Sequence, residues 1–317
     1  MNHPPEINII VPLYNEKDNF GMLKERLLKL ISSSVCQIEV ILVDDGSTDG
    51  TAELMHQLSL ENTNFHSIFL SRNFGHQLAL TAGLKHVNAS DAVMIMDGDL
   101  QDPPELFEKI YDVYKQGFDV VYAVRSSRKG SMPYKLAYHM FYRILKRFSY
   151  IDIPLDSGDF SLISRRVVNH INSMPEESRF LRGMRSWVGF RQTGFLYDRE
   201  SRKTGSSKYS LMKLISLGLN GIFNFSKYPI RFTMALGIVA LLVSSIYFII
   251  TLFKKLFIGD VPTGFTALLF AIILFGGLQL IAIGIIGEYI LRIFFQVKNR
   301  PLFIIKERIQ NGKSENQ

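Results

Sequence analysis

Residues 91–104 read Asp-Ala-Val-Met-Ile-Met-Asp-Gly-Asp-Leu-Gln-Asp-Pro-Pro and decide the fold. The apolar run Asp91–Met96 is short and bounded, as in a buried strand of a parallel sheet. It stops at Asp97-Gly98-Asp99. Pro103 and Pro104 then open a helix that continues to about Lys115, because proline is tolerated in the first turn of a helix. This strand, turn and helix predict one unit of an α/β fold.

The same unit recurs along the first 125 residues. Apolar runs at Ile7–Leu13, Glu39–Val43, Ser67–Leu70 and Phe118–Val124 alternate with helical patterns, which predicts an open, mostly parallel sheet with helices on both faces. Ligands bind beyond the carboxyl ends of such strands. The polar residues found there are Asn15 and Glu16, Asp44 and Asp45, Arg72 and Asn73, Asp97 and Asp99, and Arg125. We expect these five clusters to form one site.

The Asp97-Gly98-Asp99 turn suits a metal ion. Two carboxylates that flank a residue without a side chain can face one hard cation, and oxygen ligation favours Mg²⁺ or Mn²⁺. Asp45 can accept hydrogen bonds from a uracil or guanine edge, or from a ribose. No G-x-G-x-x-G follows the first strand and no G-x-x-x-x-G-K-[ST] occurs, which argues against dinucleotide-binding and P-loop folds.

Two long uncharged runs lie near the C-terminus, at residues 233–253 and 261–287. A helix needs ~20 apolar residues to cross a bilayer core about 30 Å thick, and both runs qualify. A pair of buried core helices is the alternative, although core helices rarely run so far without a charge. Apolar residues at helical spacing over 211–225 predict a helix in the membrane interface. Its alternative is a helix packed under the soluble domain.

These patterns divide the chain into a soluble domain (1–210), an interfacial helix and linker (211–230), two transmembrane helices (231–292) and a tail (293–317). More basic residues flank the hairpin than occupy its short turn, so the positive-inside rule places the soluble domain and both termini in the cytoplasm. The first ten residues do not resemble a secretory signal. The net charge of +7 suits an anionic membrane face, and no nucleic-acid motif accompanies it. The single cysteine, Cys36, excludes an intramolecular disulfide.

Five motifs occur in a set order: Pro12-Leu13-Tyr14-Asn15-Glu16, Asp44-Asp45-Gly46-Ser47-Thr48-Asp49, Asp97-Gly98-Asp99-Leu100-Gln101-Asp102-Pro103-Pro104, Asp156-Ser157-Gly158-Asp159-Phe160 and Arg202-Lys203-Thr204-Gly205-Ser206-Ser207-Lys208-Tyr209. Together they resemble family-two inverting glycosyltransferases of the GT-A type. The closer similarity is to the polyprenyl-phosphate branch, which includes dolichyl-phosphate mannose synthase and bactoprenol glucosyltransferase. With the two spans, the resemblance covers nearly the whole chain. It implies a Rossmann-like GT-A catalytic domain over 1–210.

The resemblance also implies residue roles. Pro12, Tyr14, Glu16 and Asp45 would line the donor's base pocket, and Asp97 would sit by the nucleotide and sugar. Asp99 and Gln101, with Asp97 beside them, would hold Mg²⁺ or Mn²⁺. The predicted phosphate-binding residues are Arg125, Arg128, Arg202, Ser207 and Lys208. A lone histidine in a polar loop is more often a surface residue, so His76 stays outside the predicted site.

The catalytic carboxylate has two candidates, Asp159 and Asp156. Asp159 is preferred because it adjoins Phe160 at the start of a predicted strand. An acceptor hydroxyl would need a general base, whereas a phosphate acceptor is already anionic. The carboxylate would then orient the acceptor, or take its last proton if the second phosphate pKa is near ~6.

We therefore expect a hexose to pass, with inversion, from a nucleotide-sugar donor to a polyprenyl phosphate such as undecaprenyl phosphate in the inner membrane. UDP-glucose is the first choice of donor, because the D-S-G-D-F motif resembles bactoprenol glucosyltransferases. GDP-mannose, UDP-N-acetylglucosamine and UDP-aminoarabinose stay open. The alternatives are a processive polysaccharide synthase, which would need a homo-oligomer to enclose a channel, and a non-catalytic nucleotide-sugar-binding protein.

Overall fold

Strands and helices alternate along the first part of the chain, as the sequence predicts. The computed structural model describes residues 4–125, 157–198, 228–257 and 264–316. The strands are β1 Ile7–Leu13, β2 Ile38–Asp44, β3 Phe65–Leu70, β4 Ala92–Ile95, β5 Val120–Arg125, β6 Ser157–Ser164, β7 Gln192–Tyr197, β8 Ile305–Gln310 and β9 Lys313–Asn316. The α-helices are α1 Lys17–Ser33, α2 Thr51–Glu61, α3 His76–Lys85, α4 Phe107–Tyr114, α5 Arg165–Ser173, α6 Leu181–Trp187, α7 Tyr228–Phe257 and α8 Phe265–Lys298. A 3₁₀ turn, Pro104–Leu106, precedes α4.

The strands in the described residues form one nine-stranded sheet, in the order β7-β5-β6-β4-β1-β2-β3-β8-β9. β1 pairs in parallel with β2 and β4, β2 pairs in parallel with β3, and β5 pairs in parallel with β7. β6 runs antiparallel to both of its neighbours, β4 and β5. The carboxyl ends of β1 to β5 therefore lie at one edge of the sheet, which we call the carboxyl edge. The start of β6 lies at the same edge.

The sheet separates two apolar cores. Alternate residues of each buried strand point to opposite faces, so a strand covered on both faces is apolar throughout. In β1, Ile9 packs with α1, α2 and α4, whereas Ile10 packs with α3, α5 and α6. The one polar residue inside this strand, Asn8, is buried and accepts hydrogen bonds from the amides of Asn88 and Ala89 through its side-chain oxygen. The prediction of helices on both faces is confirmed.

The C-terminal segment differs from the expected tail. β8 pairs antiparallel with β3, and β9 returns beside β8, so residues 305–316 extend the sheet of the soluble domain. Ile309 of β8 is fully buried, and the amide of Ser71 donates to the Ile304 carbonyl oxygen at 2.9 Å. Asn311 and Gly312 both adopt positive φ, which is the conformation of a two-residue hairpin turn. The polar composition of β8 concealed this strand, because its outer face is solvated.

Helices α7 and α8 carry the two long apolar runs. By length and composition, two segments among the described residues can cross a membrane, Ile230–Lys254 and Phe270–Lys298, and neither is buried inside the protein. The first agrees with the predicted 233–253. The second continues beyond the predicted end at Gly287, because Glu288 and Arg292 pair one turn apart on α8 and do not interrupt it. The predicted interfacial helix at 211–225 lies outside the described residues.

Candidate active site

The loops after β1 and β2 are joined at the carboxyl edge. The amide of Asn15 donates to Ser47 Oγ at 2.9 Å, and the Asn15 side-chain oxygen accepts from the amide of Thr48 at 2.8 Å. The amide of Glu16 donates to Thr51 Oγ1 at 3.0 Å. Asn15 adopts a positive φ, which asparagine tolerates better than most residues. The motifs at 12–16 and 44–49 therefore form one continuous wall.

Asp45 connects this wall to the loop after β3. Its carboxylate accepts hydrogen bonds from the amides of Phe74 at 2.7 Å and Gly75 at 3.0 Å. Burial raises the pKa of Asp45, while these two amides oppose the rise. The carboxylate thus holds the loop that leads into α3. Its predicted contact with the donor base stays a prediction.

Residues 97–102, which we call the acidic turn, alternate between half-buried and buried positions. Asp97, Asp99 and Gln101 are half-buried, whereas Leu100 and Asp102 are buried. The Asp102 carboxylate connects the turn to β7 by accepting a hydrogen bond from the Tyr197 hydroxyl at 2.5 Å.

Gly98 lies between the two carboxylates and could not carry a side chain without disturbance. A Cβ there would collide with Leu13 Cδ2 and lie 3.2 Å from the Pro12 carbonyl oxygen. A side chain at residue 98 would therefore force Leu13 to shift, in a turn that packs closely against β1.

Asp159 lies at this edge because β6 is antiparallel and begins there. It is buried, and its carboxylate accepts hydrogen bonds from Arg182, Gln77 and His76. Arg182 Nε donates to Oδ1 at 2.8 Å and Arg182 Nη2 to Oδ2 at 3.0 Å, while Gln77 Nε2 donates to Oδ2 at 3.2 Å. Burial alone would raise the pKa of Asp159. The charge of Arg182 and the hydrogen bonds from His76 and Arg182 outweigh burial and hold that pKa well below its ordinary value.

His76 lies between the two acidic groups. Its Nε2 is 3.4 Å from Asp159 Oδ2 and 3.6 Å from Asp97 Oδ1. Burial lowers the pKa of His76, but the hydrogen bond to Asp159 and the charges of both carboxylates raise it to about 9. The imidazole is therefore a cation at neutral pH.

Asp97 experiences the opposite balance. Burial raises the pKa of Asp97 to about 6, opposed by His76 and assisted by the nearby carboxylates of Asp102, Asp159 and Asp99. Several carboxylates thus converge on one small region, where each disfavours the ionised form of the others. A cation bound there would relieve this repulsion.

The profile of Glycosyl transferase family 2 matches residues 8–171. The chain belongs to this family. A glycosyltransferase of Synechocystis sp. without an assigned function is 41% identical over 304 residues, covering 95% of each chain. The bactoprenol glucosyl transferase of Shigella phage SfII is 36% identical over 304 residues, covering 95% of this chain and 98% of that one.

Among solved structures, the glucosyl-3-phosphoglycerate synthase of Mycobacterium tuberculosis is similar to this transferase. The superposition covers 69% of this chain and 78% of that one, at 15% identity and a TM-score of 0.45. The transferase has the GT-A fold, as its motifs predict.

The predicted site residues of the transferase fall into four groups. Those gathered near the acidic turn are Asp97, Asp99, Gln101 and Asp159, and those on the joined wall are Pro12, Tyr14, Glu16 and Asp45. Arg125 ends β5 opposite Tyr197 of β7. The residues outside the described ranges are Arg128, Asp156, Arg202, Ser207 and Lys208.

Sequence reasoning missed three residues of the cluster: His76, Gln77 and Arg182. The expectation that His76 is a surface residue outside the site is wrong, since its imidazole bridges two carboxylates. A signal was available for His76 and Gln77, because they follow β3 directly at the carboxyl edge. No sequence pattern indicated Arg182. It lies in α6 and contacts the site because β6 runs antiparallel and places Asp159 at the carboxyl edge.

Proposed function

We propose that this transferase moves glucose from UDP-glucose to a polyprenyl phosphate at the cytoplasmic face of the membrane, releasing UDP. The bactoprenol glucosyl transferase of Shigella phage SfII, similar along nearly its whole length, supports the sugar and the lipid carrier. The convergence of acidic side chains at the carboxyl edge supports a site for a nucleotide diphosphate and its metal ion.

One observation carries the lipid acceptor: the chain re-enters the soluble domain from the second long apolar helix at the carboxyl edge. β8 is antiparallel to β3, so its first residue, Ile305, lies opposite Leu70 at the carboxyl end of β3. Only residues 299–304 separate it from the end of α8. An extended chain spans about 3.3–3.6 Å per residue, so this link reaches ~20 Å at most. The carboxyl edge of the sheet and the C-terminal end of α8 are therefore close.

A second contact fixes the same end of α8. The Gln296 side chain donates to the Pro175 carbonyl oxygen at 2.6 Å and accepts from the amide of Glu177 at 2.9 Å. Both partners lie in the loop between α5 and α6, and α6 carries Arg182. A lipid phosphate held at the membrane surface would thus meet the edge that contains Asp159.

The shared sheet also supports the topology. The N-terminal strands and β8 lie on the same side of the membrane, because they pair with each other. A chain that leaves this domain and returns to it crosses the bilayer an even number of times, in agreement with two spans. The basic residues beside the spans favour the cytoplasmic side for the domain and both termini.

The acidic turn fits a divalent cation by the chemistry of its donors. Asp97, Asp99 and Gln101 offer hard oxygen ligands around a glycine that permits close approach. Within the described ranges no cluster of three or more His, Cys, Asp or Glu residues has the arrangement of a complete metal site, so diphosphate oxygens and water would supply the other ligands. Bound there, Mg²⁺ or Mn²⁺ supplies neutralisation of the charge on the departing UDP.

The acceptor phosphate needs little help from a base. An oxygen of the polyprenyl phosphate would attack the anomeric carbon while the bond to the UDP oxygen breaks, and this single displacement inverts the anomeric centre. Since Arg182 and His76 hold Asp159 ionised, Asp159 would act as a fixed anion that stabilises positive charge developing on the sugar. Its lowered pKa makes it a weak base, which favours this electrostatic role over proton removal.

The test uses the purified full-length protein in detergent with undecaprenyl phosphate and radiolabelled nucleotide sugars. With Mg²⁺ or Mn²⁺ we expect label from UDP-glucose to enter the lipid phase, and EDTA to prevent it. GDP-mannose, UDP-N-acetylglucosamine and UDP-aminoarabinose serve as the comparison donors. Lipid label from one of these alone would replace the donor. Hydrolysis of every donor without a lipid product would overturn the proposal.

A further inference from the structure

Arg182 and Asp159 form a bidentate ion pair at the carboxyl edge. The side chain of Asp159 is 7% exposed and that of Arg182 is 21% exposed. The guanidinium donates from two nitrogens to the two carboxylate oxygens, at 2.8 and 3.0 Å. A bidentate pair of this kind fixes the plane of the carboxylate as well as its position. Arg182 therefore sets the orientation of Asp159.

Gln77 links the Asp159 carboxylate to the start of α6. Its Nε2 donates to Asp159 Oδ2 at 3.2 Å, and its Oε1 accepts from the amide of Leu181 at 2.9 Å. Leu181 is the first residue of α6 and immediately precedes Arg182. One side chain of α3 thus contacts both the Asp159 carboxylate on β6 and the backbone at the start of α6, from which Arg182 extends.

Resting on the proposed function, we propose that Arg182 is a positioning residue for glucosyl transfer, whose guanidinium holds the Asp159 carboxylate in the orientation that faces the Asp97 side of the site. Without the fork, His76 Nε2 and Gln77 Nε2 would be the described side-chain donors left to Asp159, both on Oδ2. The carboxylate could then rotate about its side-chain bonds. A misplaced catalytic group costs rate far more than it costs binding.

A purely structural ion pair is the competing explanation, and the described residues contain a second pair for comparison. Arg166 of α5 makes a bidentate contact of the same kind with Asp119, which is buried and immediately precedes β5. The Arg166 side chain is 62% exposed, whereas that of Arg182 is 21% exposed. Because Asp119 lies at the amino end of its strand, this pair belongs to the opposite edge of the sheet. Arg166→Gln therefore removes a more exposed bidentate contact away from the acidic turn.

The experiment measures kcat for transfer to undecaprenyl phosphate, KM for UDP-glucose and Tm in Arg182→Gln, Arg182→Lys, Asp159→Asn and Arg166→Gln. Loss of an outer partner of a functional group costs about 10- to 100-fold in activity, and we expect that loss of kcat in Arg182→Gln, with KM within about twofold of wild type. Arg182→Lys should recover part of the loss, because it restores the charge without the fork. Arg166→Gln should keep kcat within about twofold, and Asp159→Asn should abolish transfer.

The outcomes separate the two proposals. A wild-type enzyme that transfers no sugar to the lipid overturns the proposed function. An active wild type with kcat unchanged in Arg182→Gln overturns the positioning role, as does near-normal turnover in Asp159→Asn. Equal losses of kcat in Arg182→Gln and Arg166→Gln assign Arg182 to stability alone. If Arg182→Gln gives no folded protein, Arg182→Lys decides: wild-type kcat in that variant contradicts a role for the bidentate fork.

Discussion

Ile309 offers a direct test of the sheet, since it follows both membrane helices in sequence yet lies in the core of the soluble domain. Its side chain is fully buried and packs in the same core as Phe65 and Leu58, while its backbone aligns with Ser67 of β3. Truncating a buried isoleucine to alanine costs about 2–5 kcal/mol, and truncation to valine about 0.5–1.5 kcal/mol. In a domain of this size each kcal/mol shifts Tm by about 2–4 °C, so Ile309→Ala should lower Tm by ~4–20 °C.

The assay is thermal unfolding of the full-length protein in detergent, followed by tryptophan fluorescence and by limited proteolysis of the soluble domain. Ile304→Ala is the matched control, because that side chain is 56% exposed and only its backbone bonds to β3. A surface change of this kind should alter stability by less than about 0.5 kcal/mol. Equal Tm values for Ile309→Ala and wild type would refute the placement of β8 in the sheet.

Three further predictions concern the acidic edge. Gly98→Ala should lower transfer about 10- to 100-fold by displacing the flanking carboxylates, whereas Gly21→Ala, which has open space around it, should not; equal activities would contradict the packing argument. Asp99→Asn should raise the Mg²⁺ or Mn²⁺ concentration needed for half-maximal transfer by about 10- to 100-fold, and an unchanged metal titration would remove Asp99 from the ligand set. The pKa of His76 is raised from 6.5 to about 9, so its pairing with Asp159 stabilises the fold fully below pH 6.5 and loses that effect as the pH rises through about 9. The Tm advantage of wild type over His76→Gln, measured in EDTA, should follow that window, and a pH-independent difference would contradict it.

The sequence predicts the parts of the site that depend on local pattern. Apolar runs and helical spacing locate β1 to β5, and the rule for parallel sheets places the following polar residues at one edge. Asp97 and Asp99 could be placed at this edge from the sequence, because they closely follow β4, whose apolar run is easy to recognise. Membrane helices are equally visible, since no other structure requires such long uncharged runs.

The remainder depends on contacts between distant segments. Asp159 meets Arg182 of α6 because its strand, β6, is inserted antiparallel between β4 and β5, which are parallel to each other. The sequence shows no pattern for that insertion. β8 is concealed because one face of an outer strand is solvated, which leaves Ile309 as an isolated apolar residue among charges. The turn at Asn311 and Gly312 was a readable hairpin signal, but a hairpin signal does not indicate which strand the hairpin will join.

The position of β8 has a consequence for biosynthesis. Translation produces β3 long before β8, with both apolar helices between them, so the growing chain exposes β3 as an open edge while the spans are being made. An unpaired edge is a template for association with other chains. The edge closes only when the last strands of the chain have been made and pair with β3. Completion of the sheet is thereby delayed until both apolar helices have been synthesised.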